Sequence, residues 1–288
     1  MTKLLEVRNA WFTYPGGIKA LRGASLTASG GEATVIVGPN GCGKTTLLLV
    51  SAGLLRPERG EVLLDGRRLE ELLPAARRRI GIVFQEPDDQ LFNSTVYDEI
   101  AFALRQLPLP SSEIDRAVRA AAKRLHVDHL LERAPYTLSA GEKKRVALAS
   151  VLAYEPEILL LDEPTANLSA DGIDELEVLV DELRREGKAV VIATHDVEFA
   201  ARVADTVYVM KKGTTIGSGP ARAVLSDEDL LAKIGMKPPI AVRLYRLLLG
   251  GGNTPLTPEE LVSELRPLLE REKKSVPAGR PLSNRARE

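Results

Sequence analysis

A glycine-rich stretch contains the residues of this chain that are best suited to bind phosphate. Residues 38–46 read GPNGCGKTT and fit the pattern G-x-x-x-x-G-K-[ST]. In this pattern glycines let backbone N–H groups approach phosphate oxygens, Lys44 adds a full positive charge, and the hydroxyl of Thr45 can bind Mg²⁺. The apolar run 33–37 predicts a buried strand before it, and residues 44–52 predict a helix whose N-terminus adds partial positive charge. The stretch therefore predicts a phosphate-binding loop (P-loop), with a chance glycine-rich turn as the alternative.

Three further apolar runs share one design, in which a short buried strand ends on polar residues. They are residues 80–84 before Gln85, 158–161 before Asp162 and Glu163, and 189–193 before Thr194 and His195. Such runs are typical of strands buried on both faces of a parallel sheet, and open α/β sheets bind ligands at the carboxyl ends of their strands. Each polar residue alone could simply be a satisfied group at a strand end. Together with the strand before the P-loop, they predict four strand ends that converge on one phosphate site.

Composition excludes several classes of protein. The chain has 288 residues, 44% of them hydrophobic and 27% charged, as expected for a soluble globular protein. A net charge of −1 does not indicate a basic surface that would attract nucleic acid or an anionic membrane. The single cysteine, Cys42, excludes an internal disulfide and fits a reducing compartment. With no signal peptide and no long apolar run, we expect the protein to stay inside the cell.

The rest of the chain surrounds this site with other elements. Antiparallel strands are predicted at 4–14 and 20–28, and Asp65-Gly66 predicts a tight hairpin. A mostly helical insertion is predicted between Gln85 and Asp162, with a capping box at Thr95. Towards the C-terminus the sequence predicts a glycine linker at 250–252, a short helix from Thr257 that Pro267 limits, and a charged, disordered end.

Several motifs together resemble those of ATP-binding cassette (ABC) ATPases over roughly residues 4–231. Besides the P-loop, they are Leu159–Asp162 with Glu163 (Walker B strand), Gln85 (Q-loop), His195 (switch histidine) and Leu138-Ser139-Ala140-Gly141-Glu142 (signature LSGGQ). A P-loop alone would leave kinases and GTPases open, whereas signature, Q-loop and switch are specific to this family. The resemblance implies an α/β fold: a P-loop NTPase with a RecA-like, mainly parallel sheet, an N-terminal antiparallel β subdomain, a helical subdomain insertion and a short C-terminal appendage.

A narrower resemblance points to one group within that family. Residues 85–92 (QEPDDQLF), residues 12–17 (FTYPGG) and an appendage from about residue 238 are similar to the ATPases of energy-coupling factor transporters, which import cobalt, nickel and vitamins. Other importer ATPases share the catalytic motifs. We therefore expect an ATPase domain over 1–235 with a helical subdomain at about 88–155, an appendage over 236–272 and a disordered tail over 273–288.

The resemblance also implies a role for each motif residue. Glu163 would position and deprotonate the attacking water, His195 would contact the γ-phosphate, and Lys44 would hold the phosphates. The residues implied to contact ATP are Tyr14, Asn40, Gly41, Cys42, Gly43, Lys44, Thr45, Thr46, Gln85, Ser139 and Gly141. Those implied to hold Mg²⁺, directly or through water, are Thr45, Gln85 and Asp162. Tyr14 would stack on adenine, or is simply a half-buried aromatic of its strand; Cys42 is also interpreted as a tolerated small residue.

The family further implies that one chain holds only half of each site. Ser139 and Gly141 would cap the γ-phosphate bound by a second ABC ATPase subunit, identical or homologous. Hydrolysis would drive a transmembrane coupling subunit docked near residues 85–92, and a substrate-binding membrane subunit indirectly, at the cytoplasmic face of the membrane. Three residues depart from the family pattern: Ala140, Glu142 and Ser169. The first two put in doubt how well this chain caps the second subunit's ATP, and Ser169 puts the communication between the two sites in doubt. A pair of unequal sites therefore stays open.

Two other functions compete with the importer interpretation. A soluble cassette ATPase acting on nucleic acid or ribosomes usually shows coiled-coil insertions, a zinc motif, tandem cassettes or strong basic character, and the sequence shows none of them. We therefore expect no nucleic-acid partner. A regulatory module that binds nucleotide and barely hydrolyses it is disfavoured because Glu163 and His195 are present.

Overall fold

The elements that surround the P-loop are defined in a computed structural model, which describes residues 3–250 and 254–275. Its strands are β1 (Lys3–Tyr14), β2 (Ile18–Ser29), β3 (Ala33–Val37), β4 (Arg59–Leu64), β5 (Arg67–Arg68), β6 (Ile80–Val83), β7 (Ile158–Asp162), β8 (Ala189–Thr194), β9 (Thr206–Lys211) and β10 (Thr214–Pro220). Its α-helices are α1 (Lys44–Ser51), α2 (Leu69–Leu72), α3 (Val96–Leu104), α4 (Ser111–Arg124), α5 (Ala140–Leu152), α6 (Ala170–Arg185), α7 (Val197–Val203), α8 (Ala221–Leu225), α9 (Glu228–Ala232), α10 (Ile240–Leu249) and α11 (Pro258–Ser275).

A six-stranded sheet carries the four predicted strand ends. Its order is β10-β9-β3-β8-β7-β6, and every neighbouring pair is parallel except β9 with β10. Alternate residues of its strands enter two different hydrophobic cores: Val35 and Leu159 pack on one face, and Ile36 and Leu160 on the other. Because both faces are buried, β3, β6, β7 and β8 are almost entirely apolar before their ends, with the buried Thr34 of β3 as the exception.

An antiparallel sheet lies beside this one, in the order β2-β1-β4-β5. Its tight hairpin forms as predicted, with Asp65 at φ +51° and Gly66 at φ +75°, the left-handed geometry that such turns need. This sheet shares one core with helix α1 and the adjacent face of the six-stranded sheet. The predicted α/β fold with a parallel-dominated sheet and an antiparallel sheet is therefore confirmed.

The helical insertion consists of α3, α4 and α5 together with short 3-10 turns. Helix α3 begins as its sequence predicts, because the Thr95 side chain accepts a hydrogen bond from the N–H of Asp98. The three helices pack on one another through the core that also covers the second face of the six-stranded sheet. Helix α5 then leads into β7 through the short connection 153–157.

The C-terminal part differs from the sequence prediction. Helix α11 passes through Pro267, which therefore does not limit it, and residues 273–275, predicted as the start of a disordered tail, are helical. Proline removes one backbone hydrogen bond, and that cost is local when both flanking stretches favour helix. Residues 251–252 of the predicted linker and 276–288 of the predicted tail lie outside the described residues. Within 3–250 and 254–275 no helix is both long enough and apolar enough to cross a membrane.

Candidate active site

The P-loop is a turn that only glycine can complete. Gly43, which precedes α1, has φ +108°, and a Cβ atom there would lie 2.6 Å from the carbonyl oxygen of Ala20. No side chain caps the N-terminus of α1, so its first N–H groups are left for an incoming acceptor. The loop, the uncapped helix and the strand before it thus form the phosphate-binding geometry that the sequence predicts.

Lys44 is buried at the centre of the site. Its ammonium group donates a hydrogen bond to the carbonyl oxygen of Gly38 at 2.7 Å and lies 3.1 Å from Oε1 of Glu163. Both side chains of this ion pair are less than a tenth exposed. The positive charge of Lys44, which is predicted to bind phosphate, is therefore paired here with the carboxylate of Glu163, the predicted general base.

Glu163 occupies a backbone conformation that glutamate rarely adopts. Its φ is +42°, in the left-handed region, which costs a residue with a Cβ about 1 kcal/mol or more. The N–H of Glu163 donates to the carbonyl oxygen of Ala193 at 2.8 Å, and Oε2 accepts from the Thr194 hydroxyl at 3.1 Å and the His195 N–H at 3.2 Å. Strain held in place by surrounding contacts is characteristic of residues that act on a ligand.

His195 completes a chain of polar contacts that starts at Lys44. Its Nδ1 lies 2.9 Å from Oε2 of Glu163, while the imidazole is 57% exposed. A ring oriented by a carboxylate through Nδ1 presents Nε2 to the solvent side. The structure therefore brings together Lys44, Glu163 and His195, the three predicted catalytic residues.

Asp162 and Thr45 form the part of the site that fits a hard cation. Asp162 is buried and its Oδ1 has no hydrogen-bond partner, while the Thr45 side chain lies near enough to the carboxylate to act on its pKa. Burial raises the pKa of the Asp162 carboxyl, with Glu163 adding to the rise, while Thr45, Lys44 and Lys144 lower it. Within the described residues no cluster of three or more acidic, histidine or cysteine side chains could enclose a metal. One aspartate, a hydroxyl and substrate phosphates suit Mg²⁺.

Tyr14 lies beside the P-loop helix at the end of β1. Its hydroxyl is 3.3 Å from Oγ1 of Thr46, and its ring packs edge-on against Phe12 at 4.9 Å between centroids. The half-buried ring is thus at the rim of the phosphate site. Asn40 and Gly41 are exposed at the tip of the loop.

Gln85 and the signature residues come from the helical side of the site. Gln85 follows β6 with an exposed side chain, and its carbonyl oxygen accepts a hydrogen bond from Lys144 of α5 at 2.7 Å. Ser139 is the N-cap of α5 and Gly141 lies in its first turn. The Ser139 hydroxyl and N–H bond to Glu142 and its carbonyl oxygen accepts from Lys143, and among the described residues none of these hydrogen bonds reaches the P-loop.

Glu142, the departure from the signature pattern, has a local role. Its carboxylate accepts from the N–H of Ser139 at 2.7 Å and from the Ser139 hydroxyl at 2.8 Å, which completes a capping box. These hydrogen bonds hold the pKa of the Glu142 carboxyl below its ordinary value. The Ser139 hydroxyl has a single proton, and here that proton is directed to Glu142.

Lys144 is a site residue that the sequence reasoning missed. It is 3% exposed although it belongs to a run of charged residues. A signal was available, because Lys144 has helical spacing with Ala147, Leu148 and Val151, which are all buried. A lysine on the apolar face of a helix predicts a buried cation with a specific partner.

Comparison with known proteins agrees with this geometry. Residues 21–166, from β2 through the P-loop and β7, match the family model described as "ABC transporter". The chain belongs to the ABC transporter family. It is 40% identical over 272 residues to the energy-coupling factor transporter ATP-binding protein EcfA of Methanothermobacter thermautotrophicus, covering 92% of this chain and 88% of that protein.

Two solved structures of ABC proteins have the same fold. CbiO1 from Clostridium perfringens, part of the ABC transporter complex CbiONQ, has a TM-score of 0.72 at 37% identity, covering 86% of this chain and 99% of that one. The ATP-binding cassette MJ0796, a dimer bound to ADP and Pi in a post-hydrolysis state, has a TM-score of 0.70 at 28% identity over 76% of this chain and 99% of that one. The predicted resemblance to ABC ATPases, and to the energy-coupling factor group within them, is thus confirmed.

The environment of Cys42 makes a prediction about its reactivity. The thiol is buried in the P-loop, and this burial raises its pKa. Because thiolate is the reactive form, Cys42 should react with a maleimide at pH 7 at least about tenfold more slowly than free cysteine, and its rate should keep rising with pH above the ordinary thiol range. Prior binding of Mg²⁺-ATP should slow it further.

Mass spectrometry reports this reaction without ambiguity, since the chain has one cysteine. The labelled protein should lose ATPase activity in proportion to labelling, whereas a Cys42→Ser variant should be insensitive to the reagent. Rapid labelling at pH 7, or full labelling with activity intact, would show that the loop is more open than the structure indicates.

Proposed function

We propose that this chain is the ATP-hydrolysing subunit of an ABC importer of the energy-coupling factor type, with a metal ion or a vitamin as cargo. The observation that supports the reaction most directly is the contact chain of Lys44, Glu163 and His195 directly behind the P-loop. The kind of importer is supported by the EcfA relative and by CbiO1, which is part of a transporter complex.

In the proposed mechanism ATP replaces the Glu163 carboxylate as the partner of Lys44. The P-loop N–H groups, Lys44, Thr45 and Thr46 bind the phosphates, while Tyr14 stacks on adenine at the rim. As Lys44 turns to phosphate, the Glu163 carboxylate is released to accept a proton from the attacking water, a contribution of roughly 10²–10⁴-fold in rate. His195, oriented through Nδ1, faces the γ-phosphate with Nε2.

Mg²⁺ is the expected companion of ATP in this site. Thr45, Asp162 and Gln85 would hold it, and when bound it would neutralise charge on the phosphates. The unpartnered Oδ1 of Asp162 supports this assignment.

A second ATPase subunit, either a copy of this chain or a homologue, completes the site. Ser139 and Gly141 are exposed or half-buried at the start of α5, where the helix dipole favours an anion. MJ0796 is dimeric, which supports a paired arrangement. In this proposal the Ser139 hydroxyl must break its hydrogen bond to the Glu142 carboxylate and donate to the second subunit's γ-phosphate instead.

The membrane partner is expected to dock beside the Q-loop, on the cytoplasmic face, with a substrate-binding membrane subunit acting through it. Phe92 is 67% exposed and packs edge-on against Phe102, which is 44% exposed, with 4.9 Å between ring centroids. Exposed aromatic pairs of this kind mark interaction sites. The backbone at Phe92 is fixed by the buried Glu99 carboxylate, which accepts its N–H at 2.9 Å.

Affinity purification from detergent-solubilised cells tests this proposal. The wild-type chain should co-purify with a multi-spanning membrane protein and should hydrolyse ATP well above a Lys44→Ala variant. Recovery of ribosomes or nucleic acid in place of a membrane protein would favour the soluble cassette ATPase instead, and turnover equal to Lys44→Ala would favour a regulatory module.

A Phe92→Ser variant sharpens the test. It should lose the membrane partner by about tenfold or more, as expected for an exposed aromatic anchor, while its own ATPase activity stays within twofold. Val178→Ser is the matched control, because Val178 is 60% exposed and belongs to α6, outside residues 85–92. Equal recovery of the partner with both variants would place the docking surface elsewhere.

A further inference from the structure

Lys144 carries a buried charge that the proposed reaction does not use. Its side chain is 3% exposed, and no carboxylate of a described residue lies within 4.0 Å to form an ion pair with it. The ammonium group donates to the carbonyl oxygen of Gln85 at 2.7 Å and lies 3.5 Å from that of Phe84. Burial lowers the pKa of Lys144, even though the carboxylates of Glu86, Asp162 and Glu163 attract this ammonium group from beyond ion-pair distance. A buried cation is therefore unfavourable here, and a methionine would be less costly for packing alone.

The contact joins two elements with different tasks. Gln85 lies two residues beyond the end of β6, on the side of this chain's own phosphates, whereas Lys144 belongs to α5, whose N-cap is Ser139. The adjacent Lys143 makes a second connection, since its ammonium group lies 2.6 Å from the Asp88 carboxylate. Two consecutive lysines of one helix therefore hold both ends of the turn 85–88.

Backbone hydrogen bonds fix the second half of this turn. The N–H of Asp89 donates to the carbonyl oxygen of Glu86 at 3.2 Å, and the N–H groups of Gln90 and Leu91 donate to that of Pro87, both at 2.9 Å. Just before the turn, the Gln90 amide oxygen accepts the N–H of Phe84 at 3.3 Å, whereas the carbonyl oxygen of Gln85 accepts from Lys144. Gln85 itself has an exposed side chain, so its backbone position is what sets where that side chain can reach. The hydrogen bond from Lys144 therefore couples the backbone position of Gln85 to that of helix α5.

We propose that Lys144 is a positioning residue that fixes Gln85 to helix α5. Gln85, which belongs to this chain's own site, and Ser139, which this chain presents to a second subunit, then move together. The inference rests on the proposed function, because that function assigns Mg²⁺ to Gln85 and the second subunit's γ-phosphate to Ser139. When a second subunit's phosphate draws Ser139 towards it, α5 carries Gln85 along through Lys144 and Lys143. Each of the two paired sites then senses whether the other is filled.

A Lys144→Met variant separates positioning from packing. Methionine fills the same space without the charge, so the melting temperature should stay equal to or above that of the wild type. The affinity for a fluorescent ATP analogue in EDTA should stay within twofold. The gain in affinity on adding Mg²⁺ should fall by about tenfold, as when an outer partner of a metal ligand is removed. Lys123→Met, at an exposed position of α4, is the control and should change none of these values.

The ion pair between Lys143 and Asp88 provides a second, independent test. Lys143→Asp or Asp88→Lys alone should lower the Mg²⁺ gain about threefold, and the two together should restore it, because the swapped pair can form the same bridge. An unchanged Mg²⁺ gain in Lys144→Met, or a swap that fails to restore it, would overturn the inference. A wild-type chain whose affinity does not respond to Mg²⁺ would instead overturn the proposed function, and this inference with it.

Discussion

Replacing Lys44 by methionine should both abolish ATP binding and destabilise the protein in the absence of nucleotide. The variant leaves the buried Glu163 carboxylate without its cation, which lies 3.1 Å away in the wild type. Removing one partner of a buried ion pair typically costs about 3–5 kcal/mol. We expect the lower end, about 3 kcal/mol, because Thr194 and His195 still donate hydrogen bonds to the carboxylate. For a domain of this size that corresponds to a fall in melting temperature of about 6–10 °C.

The double variant Lys44→Met with Glu163→Gln is the control for this effect. It removes both charges together, so most of the lost stability should return while ATP binding stays absent. Thermal unfolding of the wild type, both single variants and the double variant measures the coupling directly. A Lys44→Met chain as stable as the wild type would mean that the ion pair contributes nothing to the free energy of unfolding without nucleotide.

Replacing Glu163 by glutamine should leave binding intact and stop hydrolysis. Glutamine has the same shape, and its amide oxygen can still accept the Thr194 hydroxyl and the His195 N–H. It cannot take a proton from water, so single-turnover hydrolysis should fall by about 10²–10⁴-fold. ATP affinity should stay the same or rise, since Lys44 no longer leaves a carboxylate when it turns to phosphate.

Single-turnover hydrolysis of radiolabelled ATP and equilibrium binding of a fluorescent analogue measure the two effects separately. Glu175→Gln, a similar change at a half-exposed side chain of α6, should alter neither. Hydrolysis by Glu163→Gln within about threefold of the wild type would remove Glu163 from its role as the base.

The sequence predicts the phosphate-binding half of the site well because that half is built from local patterns. A strand, a glycine turn and a helix follow one another within residues 33–51, so each contact there is close in sequence. The polar strand ends at Asp162, Glu163 and His195 are also placed by a simple rule, since parallel strands end at the same edge of a sheet.

The contacts between distant segments could not be predicted in the same way. Lys44 and Glu163 were each expected to act on ATP, but their pairing with one another follows from the packing of β3 and β7 on either side of β8. Lys144 was hidden in a charged run, and its partner is a backbone carbonyl, which has no sequence signal. The helix beyond Pro267 was missed because proline was interpreted as an end rather than as a local defect.

Mixing two inactive variants tests the central claim most directly, namely that one chain carries half of a hydrolytic site. The Lys44→Met/Glu163→Gln chain cannot bind ATP but keeps Ser139, whereas a Ser139→Phe chain keeps its P-loop but presents a bulky ring at the exposed N-cap of α5. Each should be inactive alone, and a 1:1 mixture should recover a substantial part of wild-type ATP turnover, because one mixed pair contains one complete site. Full turnover by Ser139→Phe on its own, or a mixture no more active than its separate components, would contradict the account.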